Sequence, residues 1–369
     1  MKIAIISDQH LGYSRFEEDS YVQAERTIVS ASEKADVILC AGDIFDVKVP
    51  KLETLKRAID IFSKAAVPVF AIFGNHERRA RDMVNPVHLL AAGTNINLLH
   101  GNSEIFEKNG ERIQILGMDS VPEEYATDAL KKIMENFKKD EDAFSILMIH
   151  QSIKELVVGA EDELSLKYLE GLPFDLIING HIHETIVKLG GRFLIPGSTV
   201  ITQLKKEEMT DKGYFLYDTV EKKSEFIGIG SRKFFYERLN FKDAGEMEVR
   251  DAIVKKIKEI NDPEAIIAIK LEGDLKEGLS ASDIKTGDYP NVYIDNRLNT
   301  QDLSTTLEKI RSIRQENLSV REIALRELSS KTSGKVTFDS SELFEKLLEG
   351  SDEALEYLEQ HYKKDNKQS

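Results

Sequence analysis

An α/β protein with a small α+β module and a helical C-terminal part is what this sequence predicts, on three observations. From residue 1 to about residue 230, short apolar runs rich in Val and Ile alternate with longer amphipathic stretches, the pattern of strands interleaved with helices. From residue 231 the alternation gives way to a strand, helix, strand, strand order. Beyond Asn299 the chain turns charged, with apolar residues at helical spacing.

The runs at residues 2–7, 37–41, 67–73, 113–117, 144–149 and 176–179 are short enough for buried strands. Those at 193–196, 213–218 and 224–229 read as antiparallel strands completing a sheet. Between the early strands lie helices; Leu52, Leu55, Ile59 and Phe62 share one face of a helix running to about Lys64. Residues 1–230 are therefore read as one domain. Residues 231–298 form the α+β module: strand 234–241, helix 246–260 with Val249, Ile253, Ile257 and Ile260 on one stripe, then strands 266–271 and 292–295. Residues 299–369 carry Leu303, Leu307 and Ile310, then Val320, Ile323, Ala324 and Leu328, and after a polar break at 329–335 two short amphipathic helices. The first of these holds Leu343, Phe344, Leu347 and Leu348; the second holds Leu355 and Leu358, with Ser351 placed to cap it. The polar tail at 363–369 is expected to fray.

Bulk properties set limits. A chain of 369 residues exceeds one typical domain, so a catalytic domain of about 200–250 residues with smaller modules is the natural expectation. Hydrophobic content of 41% beside 31% charged residues is ordinary for a soluble protein, and no stretch approaches the roughly 18 apolar residues of a membrane span. The opening MKIAIISDQH has no basic region followed by a cleavage site, so a cytoplasmic protein without membrane attachment is expected. Cys40, the single cysteine, sits in an apolar run and reads as a small buried hydrophobe, which excludes a disulfide framework. A net charge of −15 argues against a simple polycationic nucleic-acid binder, yet leaves room for a basic patch on one face.

Five early runs each stop in a cluster of Asp, His or Asn: Asp8-Gln9-His10, Gly42-Asp43-Ile44-Phe45-Asp46, Gly74-Asn75-His76-Glu77, His150-Gln151 and Gly180-His181-Ile182-His183. In an open α/β sheet, sites form outside the carboxyl ends of strands, so these clusters are expected to converge. Residues two apart, such as Asp8 and His10 or His181 and His183, can aim into one pocket. The donors number two aspartates, an asparagine and four histidines. A mixed oxygen and imidazole set without cysteine suits hard or borderline divalent cations such as Mn²⁺, and its size suits two of them. Two ions about 3.5–4 Å apart stabilise both the attacking and leaving oxygens of an in-line displacement at phosphorus, which points to phosphoester hydrolysis.

The series DxH, GDxxD, GNHE, H and GHxH, complete in order and type, resembles the calcineurin-like metallophosphoesterase superfamily over roughly the first 200 residues. The resemblance implies a two-sheet, β-sandwich-like core flanked by helices. It implies one metal held by Asp8, His10 and His183, a second held by Asn75, His150 and His181, and Asp43 bridging them. It further implies that His76 is not a ligand but faces the substrate, as general acid on the leaving oxygen or as a stabiliser of the transition state, roles suited to imidazole.

Within the superfamily, Ile6-Ser7-Asp8-Gln9-His10-Leu11-Gly12-Tyr13 and Ala41-Gly42-Asp43-Ile44-Phe45-Asp46 resemble the D-x-H-L-G and G-D-L/I-F motifs of the meiotic recombination eleven and SbcD nuclease family. That resemblance implies a nuclease of double-strand-break repair with two Mn²⁺ per subunit, acting as double-strand exonuclease and single-strand endonuclease. It implies that residues 231–298 cap the active domain and help hold DNA. It implies that the C-terminal helices dock on a coiled-coil ABC-type ATPase related to SbcC, and that helices at 52–64 and 84–92, with Leu89 and Leu90, build a homodimer. Asp46 departs from the histidine that several members carry there, so the balance of exonuclease and endonuclease activity does not carry over. The rival readings are a phosphoesterase for a nucleotide or small phosphodiester, and a scaffold that has lost catalysis. Within the motifs, Asp46 and Glu77 read either as partners of a ligand residue or as helix caps. His88, His100 and His361 read as structural or surface residues, and Asp36 as a turn residue. Arg78, Arg79 and Arg81 read as a solvated surface or as phosphate contacts.

Overall fold

The computed structural model describes residues 1–80, 83–157, 163–300, 340–349, 354, 355, 357 and 358. The chain opens with β1 (Lys2–Ile6), α1 (Glu17–Lys34), β2 (Val37–Cys40), α2 (Leu52–Phe62), β3 (Val69–Ala71), α3 (Pro86–Ala92) and β4 (Ile96–Leu98). It continues through β5 (Ser103–Lys108), β6 (Glu111–Met118), α4 (Glu123–Asn136), β7 (Phe144–Ile149), α5 (Leu166–Glu170) and β8 (Leu176–Asn179). Then come β9 (Ile186–Lys188), β10 (Phe193–Ile195), β11 (Gly213–Asp218) and β12 (Lys223–Gly228). The last described elements are β13 (Phe234–Ala244), α6 (Glu246–Ile260), β14 (Ile266–Leu275), β15 (Val292–Asn299) and α7 (Ser340–Glu349).

Two six-stranded sheets carry the core, in the orders β12-β11-β1-β2-β3-β4 and β5-β6-β7-β8-β10-β9. Their layering follows from strand alternation, because successive side chains point to opposite faces. Ile3, Ile5, Val37 and Leu39 of the first sheet pack with Ile113, Ile115, Ile146, Met148, Leu176 and Ile178 of the second. The residues between them, Ala4, Ile6, Ile38 and Cys40, pack against Ile28 of α1, Phe62 of α2 and Leu90 of α3. Leu147, Ile149 and Ile177 face the other way, onto Leu130 of α4 and Leu169 of α5. The result is helix, sheet, sheet, helix. Strands buried on both faces must be apolar throughout, which is why these runs are continuous rather than alternating. Each fully buried Ile or Leu contributes about 1.5–3 kcal/mol.

Of the three segments read as antiparallel, two follow that reading: β11 runs antiparallel to β1 and to β12. The third follows it on one side only. The chain leaves β8, returns as β9 and reverses into β10, so β10 lies antiparallel to β9 but parallel to β8. Helix α2 also differs in detail, since it buries Thr54, Ala58, Ile61 and Phe62 while Leu52 stands 79% exposed. Helix α3 starts at Pro86, where the Asn85 side chain accepts the Val87 N–H at 2.9 Å.

The chain divides into two compact units, one comprising Met1–Arg238, Lys256–Lys270 and Asp288–Asp295, the other Leu239–Lys255, Leu271–Gly287 and the described residues from Asn296 onward. A three-stranded sheet has the order β13-β14-β15, and α6 buries Val249 and Ile253 of its apolar stripe. Helix α7 is tied to the helical residues that follow it by the Tyr357 hydroxyl, which donates to Glu342 at 3.1 Å. The expectations for Leu303 to Leu328, for Ser351, for Arg81 and for His361 lie outside the described residues. Among the described residues, no helix is long and apolar enough to cross a membrane.

Candidate metal centre

Strands β1, β2 and β3 run parallel in one sheet and β7 and β8 in the other, and the five donor clusters directly follow these strands. The backbone beyond them is strained. Asp8, His10, Asp43 and His181 have φ of 53°, 45°, 51° and 75°, a left-handed conformation that costs about 1–3 kcal/mol per non-glycine residue and persists only where the surroundings impose it. At Asp43, Glu77 helps to impose it. Its fully buried carboxylate accepts the N–H groups of Phe45 at 2.6 Å, Gly74 at 2.8 Å and Asp43 at 3.2 Å. Burial, with Asp43 adding to it, raises the Glu77 pKa to about 8, against three N–H donors that favour the ionised form. Gly74 is required by space: a Cβ there would sit 1.9 Å from Asp43 Oδ1.

All seven predicted donors meet in this region. His10 Nε2 lies 3.1 Å from His183 Nε2 and 3.9 Å from Asp8 Oδ1, and His183 Nε2 lies 3.7 Å from Asp8 Oδ1. Asn75 Oδ1 lies 3.1 Å from His150 Nε2 and 2.8 Å from His181 Nδ1. Asp43 Oδ2 stands between the groups, 3.3 Å from His150 Nε2 and 4.0 Å from His10 Nε2. His76 is adjacent. Its backbone N–H donates to Asp43 Oδ1 at 2.9 Å and its Nδ1 lies 2.5 Å from the Asp46 carbonyl oxygen, which makes Nδ1 the protonated nitrogen. With 36% of its side chain exposed, His76 lines a cavity of about 450 Å³ together with Asn75, His181, His183 and Lys205. A donor atom of His76 also falls within 4.8 Å of donors from His10 and Asp43.

The electrostatics of this cluster call for positive charge. His150 Nδ1 donates to the Ala41 carbonyl at 2.7 Å, so its Nε2 lone pair faces the oxygens of Asn75 and Asp43. Acceptor against acceptor at about 3 Å is repulsive unless a proton or a metal ion lies between. Burial opposes charge on His150, yet Asp43 and Asp8 overcome it and raise its pKa to about 9. Burial likewise works against charge on Asp43, but His150 and His10 hold its pKa below the ordinary carboxylate range. Burial pushes Asp8 up to about 6 and pushes His181 down to about 4. Buried carboxylates beside imidazoles whose inward-facing nitrogens give up any proton to a bound ion are a donor set that fits divalent cations.

A surrounding set of side chains fixes how the histidines point. Thr202 Oγ1 donates to Glu208 Oε1 at 2.8 Å and so accepts from His183 Nδ1, which turns the His183 Nε2 lone pair inward. Glu208 is buried, also accepts the N–H groups of Thr202 and Gln203, and pairs with the buried Lys212, which donates to Ser198 at 3.0 Å. Ser152 Oγ lies 2.9 Å from His181 Nε2. Asp46 Oδ1 lies 3.3 Å from His10 Nδ1, and since Lys51 occupies the α2 cap, its partnership with a predicted ligand is the reading the structure favours. Residues Ser152, Thr202, Glu208 and Lys212 carried no signal in the sequence. Partners of this kind are typically worth about 10–100-fold in metal affinity. Thr202→Val, which keeps the shape but removes the hydroxyl, is expected to weaken divalent-metal binding by that amount in a calorimetric titration; unchanged affinity would refute the relay.

The remaining candidates lie apart from the donors. His88 and His100 pack edge-on against Phe73. Arg79 is turned onto its own loop, donating to the Val84 carbonyl at 2.6 Å, and Arg78 is exposed. Cys40 is fully buried, and burial pushes its thiol well above the ordinary range, so it is no nucleophile.

The sequence profile of calcineurin-like phosphoesterases matches residues 1–185. The double-strand break repair protein MRE11 of Encephalitozoon cuniculi is 26% identical over 78% of this chain and 56% of its own length. The DNA double-strand break repair protein Mre11 of Archaeoglobus fulgidus is 26% identical over 79% of this chain and 70% of its own. Its namesake in Saccharolobus solfataricus is 27% identical over 84% of this chain and 86% of its own. The chain thus spans little more than half the length of the first of these relatives.

Proposed function

Because the chain belongs to the calcineurin-like phosphoesterase family, we propose that it is a Mn²⁺-dependent nuclease of DNA double-strand-break repair that uses two metal ions per subunit. The observation that carries the reading is the meeting of six oxygen and imidazole donors around a seventh, Asp43, with acceptors facing acceptors. The DNA substrate is supported by the relatives, whose names are those of double-strand-break repair proteins.

Asp8, His10 and His183 would hold one ion and Asn75, His150 and His181 the other, with Asp43 shared. When bound, such a pair supplies Lewis-acid stabilisation to both the attacking and the leaving oxygen of an in-line displacement at phosphorus. The protein's own part is orientation and proton handling. Asp46 and the Thr202–Glu208 pair aim the Nε2 atoms of His10 and His183. His76, anchored through Nδ1–H on the Asp46 carbonyl, would donate from Nε2 to the scissile phosphate or its leaving oxygen when both ring nitrogens carry a proton.

The same reading includes an SbcC-like ATPase docking on the C-terminal helices, where α7 exposes Leu347, and a homodimer. Leu52, Val84 and Leu89, on or beside α2 and α3, are 79%, 61% and 47% exposed, which supplies apolar surface for a second copy. End-labelled linear duplex DNA and bis-p-nitrophenyl phosphate, each with Mn²⁺, test the proposal, with and without the ATPase. DNA cleavage is expected, abolished by EDTA and restored by Mn²⁺, from a species whose solution mass is twice that of the chain. Hydrolysis of the small ester alone would remove the DNA reading, and a monomer mass at micromolar concentration the dimer.

A further inference from the structure

Outside the metal centre, two exposed imidazoles meet at an informative distance. His88, on α3, and His100, just after β4, both pack edge-on against Phe73, with ring centroids 5.1 and 4.5 Å away. Their Nε2 atoms face each other at 3.3 Å. His100 Nδ1 lies 2.7 Å from Asp119 Oδ2, so this nitrogen holds the proton and Nε2 is a bare lone pair. Asp119 also raises the His100 pKa by that hydrogen bond. A carboxylate behind a histidine in this way fixes its tautomer and makes it a stronger donor, the arrangement found behind metal-bound histidines.

We propose that His88 and His100 form a second cation site, separate from the predicted centre, that takes a borderline divalent ion of the Zn²⁺ class. Zinc–nitrogen bonds of about 2.0–2.1 Å at tetrahedral angles set two imidazole nitrogens about 3.3–3.4 Å apart, the spacing the two rings already have. Imidazole is the ligand type that zinc, nickel and copper favour, whereas Mn²⁺ and Mg²⁺ favour oxygen. With imidazole donors alone, the site therefore differs in selectivity from the mixed oxygen and imidazole centre. Two protein ligands leave the other positions to water, and the affinity expected is micromolar rather than that of a structural zinc site. The rings are held in place before any ion arrives, His88 by the helix and both by Phe73, so little ordering is needed on binding. Asp119 also accepts the Phe73 N–H through its other oxygen, at 2.8 Å. Phe73 directly precedes Gly74-Asn75-His76, so an ion at this site would be joined to the loop carrying Asn75 and His76.

The test is a Zn²⁺ titration of the full chain against a chromophoric chelator, for the wild type, His88→Ala and His100→Ala. The wild type is expected to hold one more Zn²⁺ per chain than either variant, with affinity at that step lowered at least tenfold by each substitution. Both side chains are exposed, so melting temperatures should stay close to wild type, and binding at the other positions serves as the internal control. Asp119→Asn keeps both rings and removes the orienting charge; it is expected to weaken the same step about tenfold. Equal zinc stoichiometry and affinity in all four proteins would overturn the site.

Discussion

Asp43→Ala is expected to release divalent metal from both halves of the centre together and to lower phosphodiester hydrolysis by at least about 10²–10³-fold, the scale of losing one preorganised electrostatic group. The reason lies in its contacts. One carboxylate oxygen reaches toward His150 and His10, which belong to different donor groups, and the other accepts the His76 N–H. Removing it takes negative charge from the place where the surrounding imidazoles most need a counterion: without Asp43, the main interaction that raises the His150 pKa is gone. Asp43→Asn separates charge from shape. Asparagine tolerates the left-handed backbone at φ 51° about as well as aspartate does, so the loop should hold while metal affinity still falls. Equilibrium dialysis with Mn²⁺ and hydrolysis of bis-p-nitrophenyl phosphate read the two effects. Retention of full metal stoichiometry by Asp43→Ala would contradict the shared-ligand assignment.

The donor clusters were legible because each directly follows an apolar run, and a strand end is a short-range feature that a linear sequence preserves. The buried strands were legible as continuous apolar runs, since Ile3, Ile5, Val37 and Leu39 lie in strands that are apolar on both faces, whereas their layering into two sheets came from the family resemblance. Strands β4, β5 and β9 gave no such signal. They lie at the sheet edges, and β5 and β9 bury none of their residues fully, so no selection for apolar side chains marks them. The parallel pairing of β10 with β8 was missed because it depends on the β9 reversal, three residues long. Thr202, Glu208 and Lys212 were invisible for a different reason. They are common residue types, the nearest of them 19 residues beyond His183, and their role exists only once the chain has folded. Glu77 lay between these cases: its place in GNHE was visible, but the three N–H groups it collects come from two separate loops.

His76→Ala is expected to lower DNA hydrolysis about 10²–10⁴-fold, the range for loss of a positioned general acid, while bound metal remains. Both halves of that expectation rest on which atoms are removed. The contact from residue 76 to Asp43 is made by the backbone N–H and survives the substitution, so the carboxylate keeps its place. The imidazole, whose Nδ1 is committed to the Asp46 carbonyl, is lost along with its free Nε2. Were His76 a ligand instead, as its proximity to His10 and Asp43 allows, metal would leave with the ring, and the dialysis measurement separates the two cases. The leaving group sharpens the test further. A deoxyribose alkoxide departs poorly without a proton, whereas p-nitrophenolate departs without help, so loss of a general acid should damage DNA cleavage far more than cleavage of the nitrophenyl ester. Equal damage to both would assign the ring to charge stabilisation at phosphorus, and undiminished activity on DNA would remove it from catalysis.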